Sequence, residues 1–96
     1  MTFETPNTRS AAFFIVNELG LHARAATRLV QLASRHQSEI ELERDGQRAN
    51  AKSVMGVLLL CCSRGTQLKV HATGIDAPEA LEAIGALIAN GFGEGT

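Results

Sequence analysis

Apolar and polar positions change period several times along the chain, and each change predicts an element. Residues 11–16 (AAFFIV) form a short, partly β-branched apolar run suited to a strand. If Phe13 and Ile15 face the core, Phe14 and Val16 lie on the opposite face of the sheet. A break at Gly20 ends the loop that follows. From Ala23 the period becomes helical, with Ala23, Ala26, Leu29, Val30 and Ala33 on one face and Arg24, Arg28, Gln31 and Arg35 elsewhere. The helix is expected to stop near His36-Gln37-Ser38.

Ile40 and Leu42 then alternate with Glu39, Glu41 and Glu43, the mark of a half-buried strand. Asp45-Gly46 is a strong hairpin signal, and residues 47–51 should return as the partner strand. Ser53 opens the short apolar segment SVMGVLLLCC, which ends at Ser63-Arg64-Gly65. Leu68, Val70 and Ala72 alternate with Lys69, His71 and Thr73 as a further strand. Asp76 with Glu79 three residues later reads as a capping box. The last helix should bury Ala80, Leu81, Ile84, Leu87 and Ile88 and end at Asn90-Gly91. The order β-α-β-β-α-β-α implies an α+β fold, one antiparallel sheet covered on one face by helices. The periodicity leaves the strand order open. A flexible tail is expected at residues 1–8, a single domain at 9–93 and a loose C-terminus at 94–96.

Composition narrows the function classes. The 96 residues are 45% hydrophobic, enough for one core, but contain no Trp or Tyr, so that core rests on aliphatic residues and four Phe. A net charge of −1 gives no basic footprint for nucleic acid, and the strands lack an aromatic stacking platform. No basic-then-apolar leader is present, and the longest apolar stretch, residues 54–62, is too short to span a bilayer. A cytosolic protein without membrane insertion is expected. Cys61 and Cys62 are adjacent, a spacing that rarely satisfies disulfide geometry, and no histidine stands at metal-ligand spacing to them. They read as small apolar side chains, and no metal or cofactor is expected.

The candidate chemistry lies in NELGLHARAATRLVQLAS, residues 17–34. His22 stands just before a helix start, where unpaired N–H groups and the helix dipole favour an anion such as phosphate. Arg24 adds a planar fork of donors that matches phosphate oxygens. A neutral imidazole has one free lone pair and can act as a covalent nucleophile, so this stretch holds the parts of a phosphohistidine site. Local chemistry also admits a plainer alternative, in which His22 ends a loop and Arg24 is a solvated charge. His36 and His71 have no reason to converge on His22 and read as surface residues.

GLHARAATRLVQLAS, then DGQRANAKSVMGV, then SRGTQLKVHATGIDAPEAL together resemble the HPr family, the histidine-containing phosphocarriers of the bacterial phosphotransferase system. The resemblance runs from about Arg9 to Gly93. It implies an open-faced β-sandwich, with a four-stranded antiparallel sheet in the order 1-4-2-3 and three helices on one face. It implies that His22 accepts a phosphoryl group on Nδ1 and that Arg24 is its phosphate-side partner. The donor would be a phosphoenolpyruvate-dependent enzyme I, and the acceptor an enzyme IIA-type protein in sugar uptake or regulation. Ser53 aligns with a serine that an HPr kinase/phosphorylase modifies. Such a chain is a carrier with a covalent intermediate rather than a turnover enzyme, and a monomer is expected. Family members commonly carry Pro after the arginine where this chain has Ala25, which leaves a sugar branch and a nitrogen-regulatory branch both open. A regulatory paralogue and an interaction module never phosphorylated at His22 are the alternatives.

SVMGVLLLCC carries a second signal. A short segment that is apolar all round can hide only one side in so small a domain. With Val57, Leu60 and Cys61 inward, Val54, Met55 and Leu58 would form an exposed patch suited to protein docking. Ser53 also reads as the N-cap of this helix. A phosphate there would put charge into the patch and weaken binding. Gly56, inside the segment, suggests close approach of a neighbour.

Overall fold

The computed structural model describes residues 8–94. Four strands, β1 (Thr8–Phe14), β2 (Glu39–Arg44), β3 (Gln47–Asn50) and β4 (Gln67–Thr73), form one antiparallel sheet in the order β1-β4-β2-β3. Helices α1 (Ala23–Ala33), α2 (Val54–Leu59) and α3 (Ala77–Ala89) accompany it, and a 3-10 turn, Gly91–Gly93, follows α3. The expected α+β order and strand arrangement are therefore present.

Strand alternation decides which face carries the core. Ala11, Val70, Leu42 and Ala49 sit opposite one another across all four strands, and Val70, Leu42 and Ala49 are buried. The neighbouring row, Ser10, His71, Glu41 and Asn50, is polar and points the other way. Phe13 packs on the core while Phe14 remains exposed, as the alternation of β1 requires.

Small residues let the helices lie close to the sheet. α1 buries Ala25, Ala26, Leu29 and Ala33, and α3 buries Ala77, Ala80, Ile84, Gly85 and Ile88. Ala23, expected on the buried face, is exposed because it opens the first turn; Ala25 is buried instead. A Cβ at Gly85 would come within 2.6 Å of the Phe13 ring, so α3 approaches β1 through the missing side chain. Leu81 and Leu87, expected to be buried, are half-buried and pack against the core from its edge.

Two sequence expectations fail where tertiary contacts compete with local rules. Asp76 is the N-cap of α3 but makes no capping hydrogen bond with its side chain. Pro78 supplies no N–H in that first turn, and the carboxylate turns to the chain leaving α1. It accepts from the N–H groups of Gln37 and Ser38, each at 2.9 Å, and from the Ser38 hydroxyl. The second failure is Cys61, which was expected inward and is exposed; Cys62 is the buried cysteine, and both thiols are free. The chain leaves α2 at Leu60 and Cys61 takes a left-handed φ of 53°, which shifts the inward position by one residue. Burial pushes the Cys62 thiol up. His36 and His71 are half-buried rather than surface residues. His36 Nδ1 lies 3.4 Å from Asp76, and His71 lies between Ser10 (2.7 Å) and Glu43 (2.9 Å).

The Asp76 clamp makes a test of the fold. The Ser38 hydroxyl and then the Gln37 amide hold the Asp76 carboxyl well below the usual carboxylate range. A group lowered on folding contributes fully above its unfolded value, about 3.9, and that contribution fades as pH falls through the folded value. Asp76→Asn should therefore lower the urea midpoint at neutral pH, and the gap from wild type should narrow toward about pH 2. Urea unfolding followed by circular dichroism at both pH values checks this. A gap that stays constant with pH would assign the effect to something other than the carboxylate charge.

Candidate functional site

His22 is the N-cap residue of α1, in extended conformation with φ −72° and ψ 178°. Its carbonyl accepts from Ala26 N–H at 2.8 Å, and its Nδ1 accepts from Arg24 N–H at 3.3 Å. The ring thus takes the place of the usual Ser or Asp cap, with Nδ1 turned toward the donors of the first helical turn.

The loop that presents His22 is locked from below. Gly20 has φ +65°, and a Cβ there would lie 2.5 Å from the Cys62 carbonyl oxygen and 2.9 Å from Ser63 Cα. Leu21 N–H donates to that same carbonyl at 2.8 Å. Only glycine fits, so the GLH stretch rests on the segment leaving α2. Asn17, 1% exposed, closes the loop by donating from Nδ2 to the Gly20 carbonyl at 2.8 Å.

Arg24 is exposed on the first turn, and its side chain makes no hydrogen bond among the described residues. It lines an open pocket with Leu19, His22, Arg28, Gly93 and Glu94. Ser53 is half-buried at the start of α2, and its Oγ accepts from Gly56 N–H at 3.1 Å. A Cβ on Gly56 would sit 3.3 Å from that oxygen, so the close neighbour is Ser53 itself. In the expected docking patch Met55 is 68% exposed, whereas Val54 and Leu58 are half-buried. Leu59, one turn beyond Met55 and 71% exposed, is the large apolar residue that the spacing missed. Among the described residues, no three His, Cys, Asp or Glu side chains are grouped so as to hold a metal ion.

Three further residues join the site, Glu94 from outside the motif and Asn17 and Arg28 from positions inside it that carried no expected role. Glu94, expected in a loose terminus, reaches His22 Nε2 with Oε2 and accepts from Asn17 Nδ2 at 2.8 Å with Oε1. Asn17, His22 and the proximity of Arg28 keep the Glu94 carboxyl below its ordinary range, the amide of Asn17 foremost. Arg28 donates from Nη1 to the Phe92 carbonyl. The turn behind Glu94 is built for this placement: Gly91, Phe92 and Gly93 have φ of 62°, 57° and 76°, and the Phe92 side chain is fully buried. A left-handed phenylalanine costs on the order of 1 kcal/mol, and its buried ring offsets that. An aromatic between two glycines, just past a helix cap, was the only signal of this in the sequence.

The geometry agrees with the comparisons. The family model described as "PTS HPr component phosphorylation site" matches residues 9–90. The chain belongs to the HPr family. The phosphocarrier protein HPr of Cupriavidus necator is 47% identical over 81 residues, which cover 84% of this chain and 91% of that protein. Among solved structures, an HPr from Thermoanaerobacter tengcongensis superposes with a TM-score of 0.87 at 43% identity, covering 90% of this chain and 97% of that one. A structure described as an HPr dimer from the same organism gives 0.73 at 41% identity, covering 98% and 100%. Membership of the HPr family makes this chain a phosphocarrier of the phosphotransferase system.

The locked loop is open to a direct test. Gly20→Ala adds a Cβ against backbone atoms at a positive φ, two penalties that together cost about 2–4 kcal/mol. A urea unfolding curve within error of wild type would mean that the GLH loop does not rest on Cys62 and Ser63.

Proposed function

We propose that His22 is the phosphoryl acceptor, loaded by a phosphoenolpyruvate-dependent enzyme I and unloaded by an enzyme IIA-type protein in the cytoplasm. The observation that carries this is the His22 ring at the N-cap of α1, its Nδ1 facing the Arg24 N–H. Attack by the Nδ1 lone pair forms a P–N bond while the donor's bond to phosphorus breaks and its electron pair leaves with the donor. The new phosphoryl oxygens then meet the first-turn N–H groups of α1 and the Arg24 guanidinium. Phosphoryl transfer needs positioning and charge neutralisation above all, and this site supplies both.

Docking uses the α2 surface, with Met55 and Leu59 at its centre and Val54 and Leu58 at its base. Ser53 opens this helix, so a phosphate on its hydroxyl, added by an HPr kinase/phosphorylase, would place negative charge beside an apolar contact and weaken binding. One chain holds every residue of the site, which favours a working monomer.

Incubation with phosphoenolpyruvate, magnesium and a general enzyme I should add the mass of one phosphoryl group, in an acid-labile and base-stable linkage. His22→Ala should abolish it. Arg24→Ala should slow transfer by about 100-fold, the usual effect of losing one donor to a developing charge, while melting like wild type. A wild-type chain that stays unmodified would refute the carrier role. An Arg24→Ala protein that transfers normally would make that arginine a solvated charge.

A further inference from the structure

We infer that Glu94 is a positioning residue for phosphoryl transfer: its carboxylate, held by Asn17, keeps the ring proton of His22 on Nε2 in both the free and the phosphorylated protein. This rests on His22 being the phosphoryl acceptor, and it adds to the site a residue 72 positions away in sequence.

Two independent contacts demand one tautomer. A carboxylate only accepts, so the ring nitrogen facing Glu94, Nε2, must carry the hydrogen. The Arg24 N–H only donates, so the nitrogen it faces, Nδ1, must present its lone pair. In a neutral imidazole these requirements select the same form, with Nδ1 as nucleophile and Nε2–H as donor. The partner that fixes a histidine tautomer is ordinarily a carboxylate or a carbonyl on the far nitrogen, which is the place Glu94 occupies.

The carboxylate is itself built in rather than passing by. Its second oxygen accepts from the buried Asn17 amide, which also holds the loop bearing His22. The left-handed Gly91–Gly93 turn and the fully buried Phe92 ring set where the chain emerges. Arg28 fastens that turn through the Phe92 carbonyl. Backbone strain of this kind persists where the surrounding structure over-determines it.

The consequence follows from the proton balance of transfer. When Nδ1 attacks phosphorus, no proton leaves the ring, and the product is an N-phosphorylated imidazolium with its hydrogen on Nε2. The carboxylate of Glu94 neutralises that cation and retains the proton. When the P–N bond breaks, its electron pair returns to Nδ1 and the ring is again the neutral Nε2–H form. A ring that lost the Nε2 proton would hold its phosphoryl group as a poorer leaving group, because the departing nitrogen would become an imidazolate. Glu94 therefore keeps the loaded carrier in its transferable form.

Glu94→Ala removes the acceptor altogether, and Glu94→Gln removes the charge and one of the two acceptor oxygens. Nitrogen-15 NMR of the unphosphorylated full-length chain, at a pH where the ring is neutral, reads the tautomer directly. Wild type should show the Nε2–H form alone, Glu94→Ala a mixture, and Glu94→Gln a population between the two, since its single amide oxygen cannot accept from both His22 and Asn17. Onward transfer from the phosphorylated protein to an enzyme IIA-type acceptor should fall by about 10- to 100-fold in Glu94→Ala, the usual effect of removing a carboxylate that orients a functional histidine. Glu94→Gln should transfer more slowly than wild type because the charge is gone. Backbone amide spectra matching wild type away from the site confirm that each variant is folded.

An unchanged tautomer in Glu94→Ala overturns the inference, and so does a changed tautomer with wild-type transfer. If the wild-type chain is never phosphorylated, the role of His22 fails instead, and that result is visible before any variant is made.

Discussion

A single buried amide holds this site together. Asn17 donates from one nitrogen both to the Gly20 carbonyl, inside the loop that carries His22, and to the Glu94 carboxylate at the far end of the chain. Burial makes these bonds consequential, since a buried N–H left without an acceptor is costly, and the amide oxygen Oδ1 finds no partner among the described residues. The β1–α1 loop can thus stand on the core, pressed against Cys62 and Ser63 through Gly20, with its histidine at the helix N-terminus. Loops usually combine reach with mobility; here two distant segments of chain, at Cys62-Ser63 and at Glu94, hold this one in place.

That rigidity suits the chemistry. Phosphoryl transfer between proteins gains from reacting groups already in place, because orientation need not then be established at the moment of transfer. His22 has its ring held at both nitrogens, and the exposed Arg24 side chain makes no hydrogen bond among the described residues. The apolar Met55 and Leu59 surface lies on α2, the helix whose exit supports the histidine loop. That apolar surface and the His22 ring therefore share one packed foundation.

Features that repeat or lie close in sequence were legible. The alternation in β2 and β4, the Asp45-Gly46 turn and the helical spacing of α1 and α3 each state a burial pattern that the packing then uses. The place of His22 and Arg24 at the start of α1 was legible from the helical period that begins at Ala23. What escaped depended on distant partners. Asp76 has the residue types of a capping box, but its carboxylate found two loop amides and a hydroxyl instead. Cys61 and Cys62 are chemically alike, so only the left-handed turn at Cys61 decides which is buried. Glu94 meets His22 through a non-periodic turn of three left-handed residues, a geometry that no local pattern encodes.

The outer face of the sheet has a bearing on how partners find this protein. Its charges are interleaved and largely spent on one another: Arg48 lies 2.6 Å from Glu41 and 3.4 Å from Glu43, and Glu43 also meets His71. With a net charge of −1, the chain carries little overall charge with which to steer partners from a distance. On the proposed reading, in which partners dock on the apolar α2 surface, encounter falls in the ordinary association range of about 10⁵–10⁷ M⁻¹s⁻¹. On that reading a carrier of this kind would meet its proposed loader and unloader on equal terms, and the traffic between them would follow their concentrations rather than long-range attraction.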